Sequence, residues 1–144
     1  MDGSRQLIRV SVGDDPINTS ALVEEVRRPD SGATVLFLGT VRDRSPGKEG
    51  VTHLDYEVYV EQVEPKIREI IDEAARQWPI LSAVVEHRSG RVDLGEASVA
   101  VAVSSAHRAD AFAAASFLID QLKTRAPIWK KEHWPGGAEW SQGS

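Results

Sequence analysis

The sequence predicts an α+β fold: a mixed, mostly antiparallel sheet with helices packed on one side. Three observations lead there. Strand-like segments follow one another directly in two places, two long helical segments alternate with them, and the glycine-rich phosphate loops of nucleotide folds are missing. Neither GxxxxGK(S/T) nor GxGxxG occurs. Residues 7–12 alternate apolar and polar side chains, as a half-buried strand does. Pro16 and Asn18 precede a short helix over 20–28, which Pro29 ends. Residues 33–41 are rich in β-branched and aromatic side chains and read as a buried strand. Residues 42–50, RDRSPGKEG, form a loop by their proline, glycine and charge content. Alternation returns over 51–60. Val63, Ile67, Ile70, Ile71, Ala74, Ala75 and Trp78 then recur at helical spacing, with Pro65 tolerable in the first turn and Pro79 as the stop. Strands follow over 81–87 and 97–104, joined by a turn around 89–96. A second long helix spans 108–124, with Pro127 just beyond it. Residues 134–144 are glycine-rich and read as a loosely held tail. The expected order is β-α-β-β-α-β-β-α in one domain, 1–144, without repeat, linker or low-complexity block.

Composition excludes several functions. The pI near 5.4 argues against a nucleic-acid protein, which usually shows a broad basic face. The longest apolar stretches, 33–38 and 111–119, are too short to span a bilayer, and the N-terminus has no apolar signal core. A cytoplasmic protein without membrane attachment is expected. With no cysteine, there is no disulfide, thiolate nucleophile or cysteine zinc site. The four histidines form no HxH or HExxH pair, so no metal site and no cofactor is expected.

Charge is unevenly spread. The run 104–131, SSAHRADAFAAASFLIDQLKTRAPIWKK, carries Arg108, Lys123, Arg125, Lys130 and Lys131 against Asp110 and Asp120, on a chain of net charge −5. A cationic patch on an acidic protein points to a dedicated anion site. Arg108, Phe112, Ser116, Ile119 and Lys123 share one helix stripe, which puts Lys123 at the edge of the core. Its head either enters a cleft, where Arg125, Lys130 and Lys131 would push its pKa down and suit it to acid–base work, or is solvated near a helix C-terminus. Lys130 is either fixed beside Trp129 or snorkels over it. Arg42, after Gly39, Thr40 and Val41 at a strand end, either grips a phosphate or is a solvated loop charge. Phe37 walls the same cleft or fills the core. His107 and Arg108 sit where helix N–H groups and cations converge on an anion, unless Ser104 or Ser105 serves only as a cap. Arg108 and Lys123 lie fifteen residues apart on one helix, about 22 Å. One small anion cannot touch both within a single chain, so a shared site requires a two-fold dimer with composite sites.

Taken together, GTVR after a hydrophobic strand, SSAHR before a helix and LKTRAPIWKKE after it resemble the large, catalytic subunit of molybdopterin synthase, the MoaE family. The resemblance runs from about residue 7 to 140. It implies an α/β hammerhead fold, a central homodimer within a heterotetramer, and a small ubiquitin-like sulfur-carrier subunit whose C-terminal Gly-Gly tail ends in a thiocarboxylate. It further implies a sulfurtransferase acting in molybdenum cofactor biosynthesis. Two sulfurs pass to cyclic pyranopterin monophosphate and form the dithiolene of molybdopterin. By the same resemblance Lys123 and Lys130 are catalytic. Substrate contacts fall on Thr40, Val41, Arg42, His107, Arg108, Lys123, Lys130, Lys131 and Glu132, and Phe37 lines the pocket. Many relatives carry a longer basic tail beyond the final tryptophan; here Trp140 is followed by Ser-Gln-Gly-Ser. The absence of cysteine fits an enzyme that receives its sulfur from outside, since the thioether of Met1 is no donor.

Overall fold

The chain runs β1 (Leu7–Gly13), α1 (Thr19–Val26), β2 (Ala33–Thr40), β3 (Arg44–Ser45), β4 (Lys48–Glu49), β5 (His53–Val58), α2 (Val60–Gln77), β6 (Ile80–Arg88), β7 (Gly90–Asp93), β8 (Ala97–Ser105), α3 (Arg108–Arg125), β9 (Ile128–Trp134) and β10 (Gly137–Gln142). This computed structural model describes residues 6–144, so Met1 and the start of the polar N-terminus lie outside the described residues. Strands β1-β6-β8-β2 form one sheet, in which only the β1–β6 pair is parallel. Strands β10-β9-β5-β7 form a second, antiparallel throughout.

Sequence dictates how the first sheet is covered. Strand β8 reads VAVAV over 99–103, apolar at every position, so both of its faces need burial. Val99, Val101 and Val103, with Ala83 and Val85 of β6, pack into the main core beneath α2 and α3. Ala100, Ala102 and Val84 point the other way and meet Leu22 and Val26 of α1. The two long helices thus share one face, as expected, while the short helix α1 covers the other. Asn18 caps α1 by accepting from Ala21 N at 3.1 Å. Arg9 of β1 ties the helix down through Glu25, and also reaches Glu86 of β6 at 2.6 Å. Ile67, Ile71, Leu118 and Leu122 are fully buried between the long helices and the sheet, each stabilising by about 1.5–3 kcal/mol. Arg125 locks the end of α3 to α2 through Glu73 at 2.6 and 2.9 Å.

Four local expectations change. Helix α2 begins at Val60 rather than Val63, because Val63 N finds the Tyr59 carbonyl at 2.9 Å. Pro65 therefore falls in the second turn, where its missing N–H leaves the carbonyl of the exposed Glu61 to water. The segment 89–96 contains strand β7, and the loop 42–50 folds back on itself as the β3–β4 hairpin, turning at Gly47 with φ 77°. Residues 134–144 are not a loose tail. Strand β9 offers an unpaired backbone edge, and β10 satisfies it from Gly137↔Trp134 to Gln142↔Trp129. Gly143 N continues the pairing onto the Ile128 carbonyl, and Ser144 is buried.

Ser144 is held by His87, a histidine only 2% exposed. Its Nδ1–H donates to the Arg88 carbonyl at 2.7 Å, Nε2 accepts from Ser144 Oγ at 2.9 Å, and the ring meets Tyr56 edge-on. Burial pushes its pKa down to about 4, against a weaker upward pull from the bond to Arg88. A buried neutral imidazole with a depressed folded pKa stabilises fully above the unfolded value of about 6.5. That stability is lost as pH falls toward the folded value. In thermal melts, wild type should lose up to about 3 kcal/mol between pH 7 and 4 through this group. A His87→Asn variant should show a flatter acid limb over that window; an unchanged limb would show that another group controls it.

Candidate active site

The cleft arises where the two sheets meet the end of α3. Strand β2 reaches its end at a bulge between Gly39 and Thr40. Gly39 is required there: a Cβ would lie 2.6 Å from Val99 Cγ1. Beyond the bulge Val41 is clamped by hydrogen bonds to Glu96 and Gly95, which aims Thr40, Val41 and Arg42 at the opening. From below, β5 and β9 present Leu54, Tyr56, Lys130 and Glu132 on one face, in the pairs Tyr56↔Lys130 and Leu54↔Glu132. Lys123 arrives from the last turn of α3. The result is an open cleft of about 590 Å³.

Its electrostatics centre on Lys130 and Glu132. Lys130 is half-buried, and burial lowers its pKa; Lys123, Arg42 and Lys48 push the same way, while Glu132 opposes them. Glu132 is 8% exposed. Burial alone would raise its carboxyl, but Lys48 Nζ at 3.0 Å and Ser45 Oγ at 2.8 Å outweigh that and hold it below the ordinary range. Lys48 also reaches Glu139 of β10 at 3.6 Å and lies over the Trp134 ring. These bonds fasten the β3–β4 hairpin onto β9. Tyr56 is 5% exposed, and burial raises its phenol pKa against a hydrogen bond with Ser98. A cleft of fixed cations with one lysine held below its usual range can bind an anion and move a proton.

Six of the expected residues therefore line one cleft: Thr40, Val41, Arg42, Lys123, Lys130 and Glu132. Four do not. Phe37 lies farther back along β2, beside Phe112 and Ile119 of α3 in a separate apolar groove. Lys131 follows the strand alternation onto the opposite face of its sheet, with Nζ 5.7 Å from the Trp140 ring centroid. His107 and Arg108 occupy the far end of α3, beside the start of β2, where Gly32 N bonds the Ser105 carbonyl. The register Ala33↔Ser105 and Thr40↔Ala97 sets the length of β2, about 23 Å, between them and Arg42. Arg125 is engaged by Glu73 and does not join the cleft. Of the four-cation neighbourhood around Lys130, sequence reasoning missed Lys48, whose signal was the charge inside RDRSPGKEG. Tyr56 was also missed, hidden among the alternating residues of its strand.

Because Glu132 supports the protonated form of Lys130, replacing its charge without changing its shape should expose the lysine to its cationic neighbours. Glu132→Gln is expected to lower the Lys130 pKa further, followed by the pH titration of its side-chain ¹³Cε resonance. A rise in that pKa would overturn this electrostatic assignment.

Comparison with known proteins identifies the family. The family described as MoaE protein matches residues 12–125. A molybdopterin synthase catalytic subunit from Thermoplasma volcanium is 50% identical over 123 residues, 85% of this chain and 89% of that protein. The crystal structure of molybdopterin synthase from Staphylococcus aureus superimposes with a TM-score of 0.84 at 36% identity, covering 90% of this chain and 94% of that one. The fold alone is shared, at 20% identity and a TM-score of 0.73, with a chain in the complex of subunits 1 and 2 of molybdopterin-converting factor from Helicobacter pylori; that match covers 93% of this chain and 89% of the other. The match over most of its length and these identities show that the chain belongs to the MoaE family.

Proposed function

We propose that this chain is the catalytic subunit of a cytoplasmic molybdopterin synthase. It transfers two sulfurs from the C-terminal thiocarboxylate of a small ubiquitin-like carrier to cyclic pyranopterin monophosphate. One observation carries the reading: Lys123, Lys130 and Arg42, from three separate elements, line one open cleft of a protein that has no thiol of its own. Cations so placed suit a substrate phosphate and a carboxylate-like tail, and the sulfur must come from outside. Among the described residues no helix is long and apolar enough to cross a membrane.

In the proposed reaction the carrier's tail enters the cleft, and its thiocarboxylate sulfur adds to a carbonyl-level side-chain carbon of the pterin, the new C–S bond replacing a C–O bond whose oxygen leaves as water. Lys123 steadies charge developing on the tail carbonyl. Lys130, its ammonium disfavoured by burial, exchanges the proton. Arg42 holds the phosphate. Water then releases the carrier as a carboxylate and leaves the sulfur on the pterin. A second loaded carrier repeats the step, with opening of the cyclic phosphate.

The site is completed by a second copy. Strand β2 is an edge strand, and the groove between it and α3 exposes Phe112 at 63%. That groove runs between the Arg42 end and the Arg108 end. A two-fold axis across it brings His107 and Arg108 of one copy to the Lys123 cleft of the other. Phe37 then lies in the dimer contact rather than in its own chain's cleft.

Lys123→Ala should nearly abolish product formation from precursor and thiocarboxylated carrier while leaving the dimer folded; near-normal turnover would remove Lys123 from the reaction. Mixing Lys123→Ala with Arg108→Ala subunits, each inactive alone, should restore about a quarter of wild-type activity, because half the dimers then hold one intact site. Activity no greater than that of the separate variants would refute composite sites.

A further inference from the structure

On the face of the second sheet opposite the cleft, β5 and β9 bring together three side chains that no local motif connects. His53 and His133 are register partners, and Asp55 lies two residues along β5 on the same face. The two imidazoles stack with centroids 4.2 Å apart. Asp55 Oδ2 lies 2.8 Å from His133 Nε2 and 3.8 Å from His53 Nε2, and one ligand atom from each residue falls within 4.8 Å of the others. A tetrahedral ion with bonds of about 2.0–2.1 Å needs ligand atoms about 3.4 Å apart, inside this spread. Nε2 of His133 is shielded from solvent and makes no hydrogen bond, even with Asp55 so near. Thr52 Oγ1 engages Nδ1 of His53 at 2.9 Å, which orients that ring and leaves its Nε2 for another partner.

We infer that His53, Asp55 and His133 bind a divalent transition-metal ion of the zinc class, with water filling the open position. Two imidazoles and one carboxylate are a donor set suited to zinc, cobalt or nickel rather than to magnesium or calcium. Binding turns the two rings out of their stack, so that both Nε2 lone pairs converge beside Oδ2. Two nearby cations would oppose the ion: the charge of Arg91 acts on His53 and Asp55 but is offset by its partner Asp93, and Lys131 turns away. Arg91, paired with Asp55, is held by Asp93 at 2.6 Å, and Lys131 lies over Trp140. The bound ion cross-links β5 to β9 behind Tyr56 and Lys130, so it braces the floor of the cleft without entering it. This site stands independently of the proposed sulfur transfer.

The test is titration of the metal-free full-length chain with zinc chloride, by calorimetry and by competition with a chromogenic chelator. Saturable binding of one zinc per chain is expected. Asp55→Asn and His133→Gln should each weaken it by roughly a hundredfold or more, at or beyond the 10–100-fold loss that outer-shell changes typically cause. His107→Gln, an exposed histidine elsewhere, should leave it intact. Circular dichroism establishes folding, and Asp55→Asn, nearly isosteric, decides the matter if His133→Gln does not fold. Absence of saturable one-to-one binding, or undiminished affinity in Asp55→Asn, would overturn the assignment.

Discussion

Glu132 is a carboxylate whose pKa burial alone would raise, and Lys48 and Ser45, each giving it a hydrogen bond, hold it below the ordinary range instead. Much of the cleft's architecture depends on that arrangement. The bonds pull the short β3–β4 hairpin down onto β9, and the same negative charge sits beside Lys130 among Lys123, Arg42 and Lys48. Without it, Lys130 would share a half-buried space with Lys123, Arg42 and Lys48 and lose the carboxylate that favours its ammonium. With it, the cleft remains net positive, and Glu132 partly offsets the burial and the cationic neighbours that lower the Lys130 pKa.

The scaffold supports this charge arrangement by rigidity rather than by local sequence. Tyr56 and Lys130 face each other across β5 and β9, and Arg42 is aimed by a bulge beside Gly39, where any Cβ would press into the Val99 side chain. Lys123 is fixed by the end of α3, which the Arg125–Glu73 pair holds against α2. Sites carried on strands and helix ends keep their geometry better than sites on free loops. The C-terminal residues belong to the same frame: β10 seals β9, and Ser141, Gln142 and Ser144 line the cleft wall.

Legibility of the fold followed the strength of each local signal. Helix α3 was readable to within a residue at its end, because its apolar spacing is long and Pro127 bounds it. Strand β10 was unreadable, because GAEWSQ has neither alternation nor β-branched residues and forms only by borrowing the edge of β9. The covering of both sheet faces was present in the VAVAV run, yet its meaning emerges only once α1 is placed behind it. At the site, Arg42, Lys123 and Lys130 were legible as cations at element ends, while Thr40, Val41 and Glu132 came only from the family resemblance. Lys131 was not separable from Lys130 until strand alternation put the two on opposite faces.

The sequence by itself determined the classes of chemistry open to this protein. The absence of cysteine, the cationic run on an acidic chain and the placement of prolines and glycines are properties of residues, independent of folding. Tertiary structure decided which cations meet. Lys48 joins Lys130 because Glu132 draws the hairpin over, and Arg108 is kept from Lys123 by the length of one helix. The pairing of His53 with His133 lies eighty residues apart in sequence and one strand apart in space. Such contacts are set by sheet register, a long-range property that local spacing does not encode.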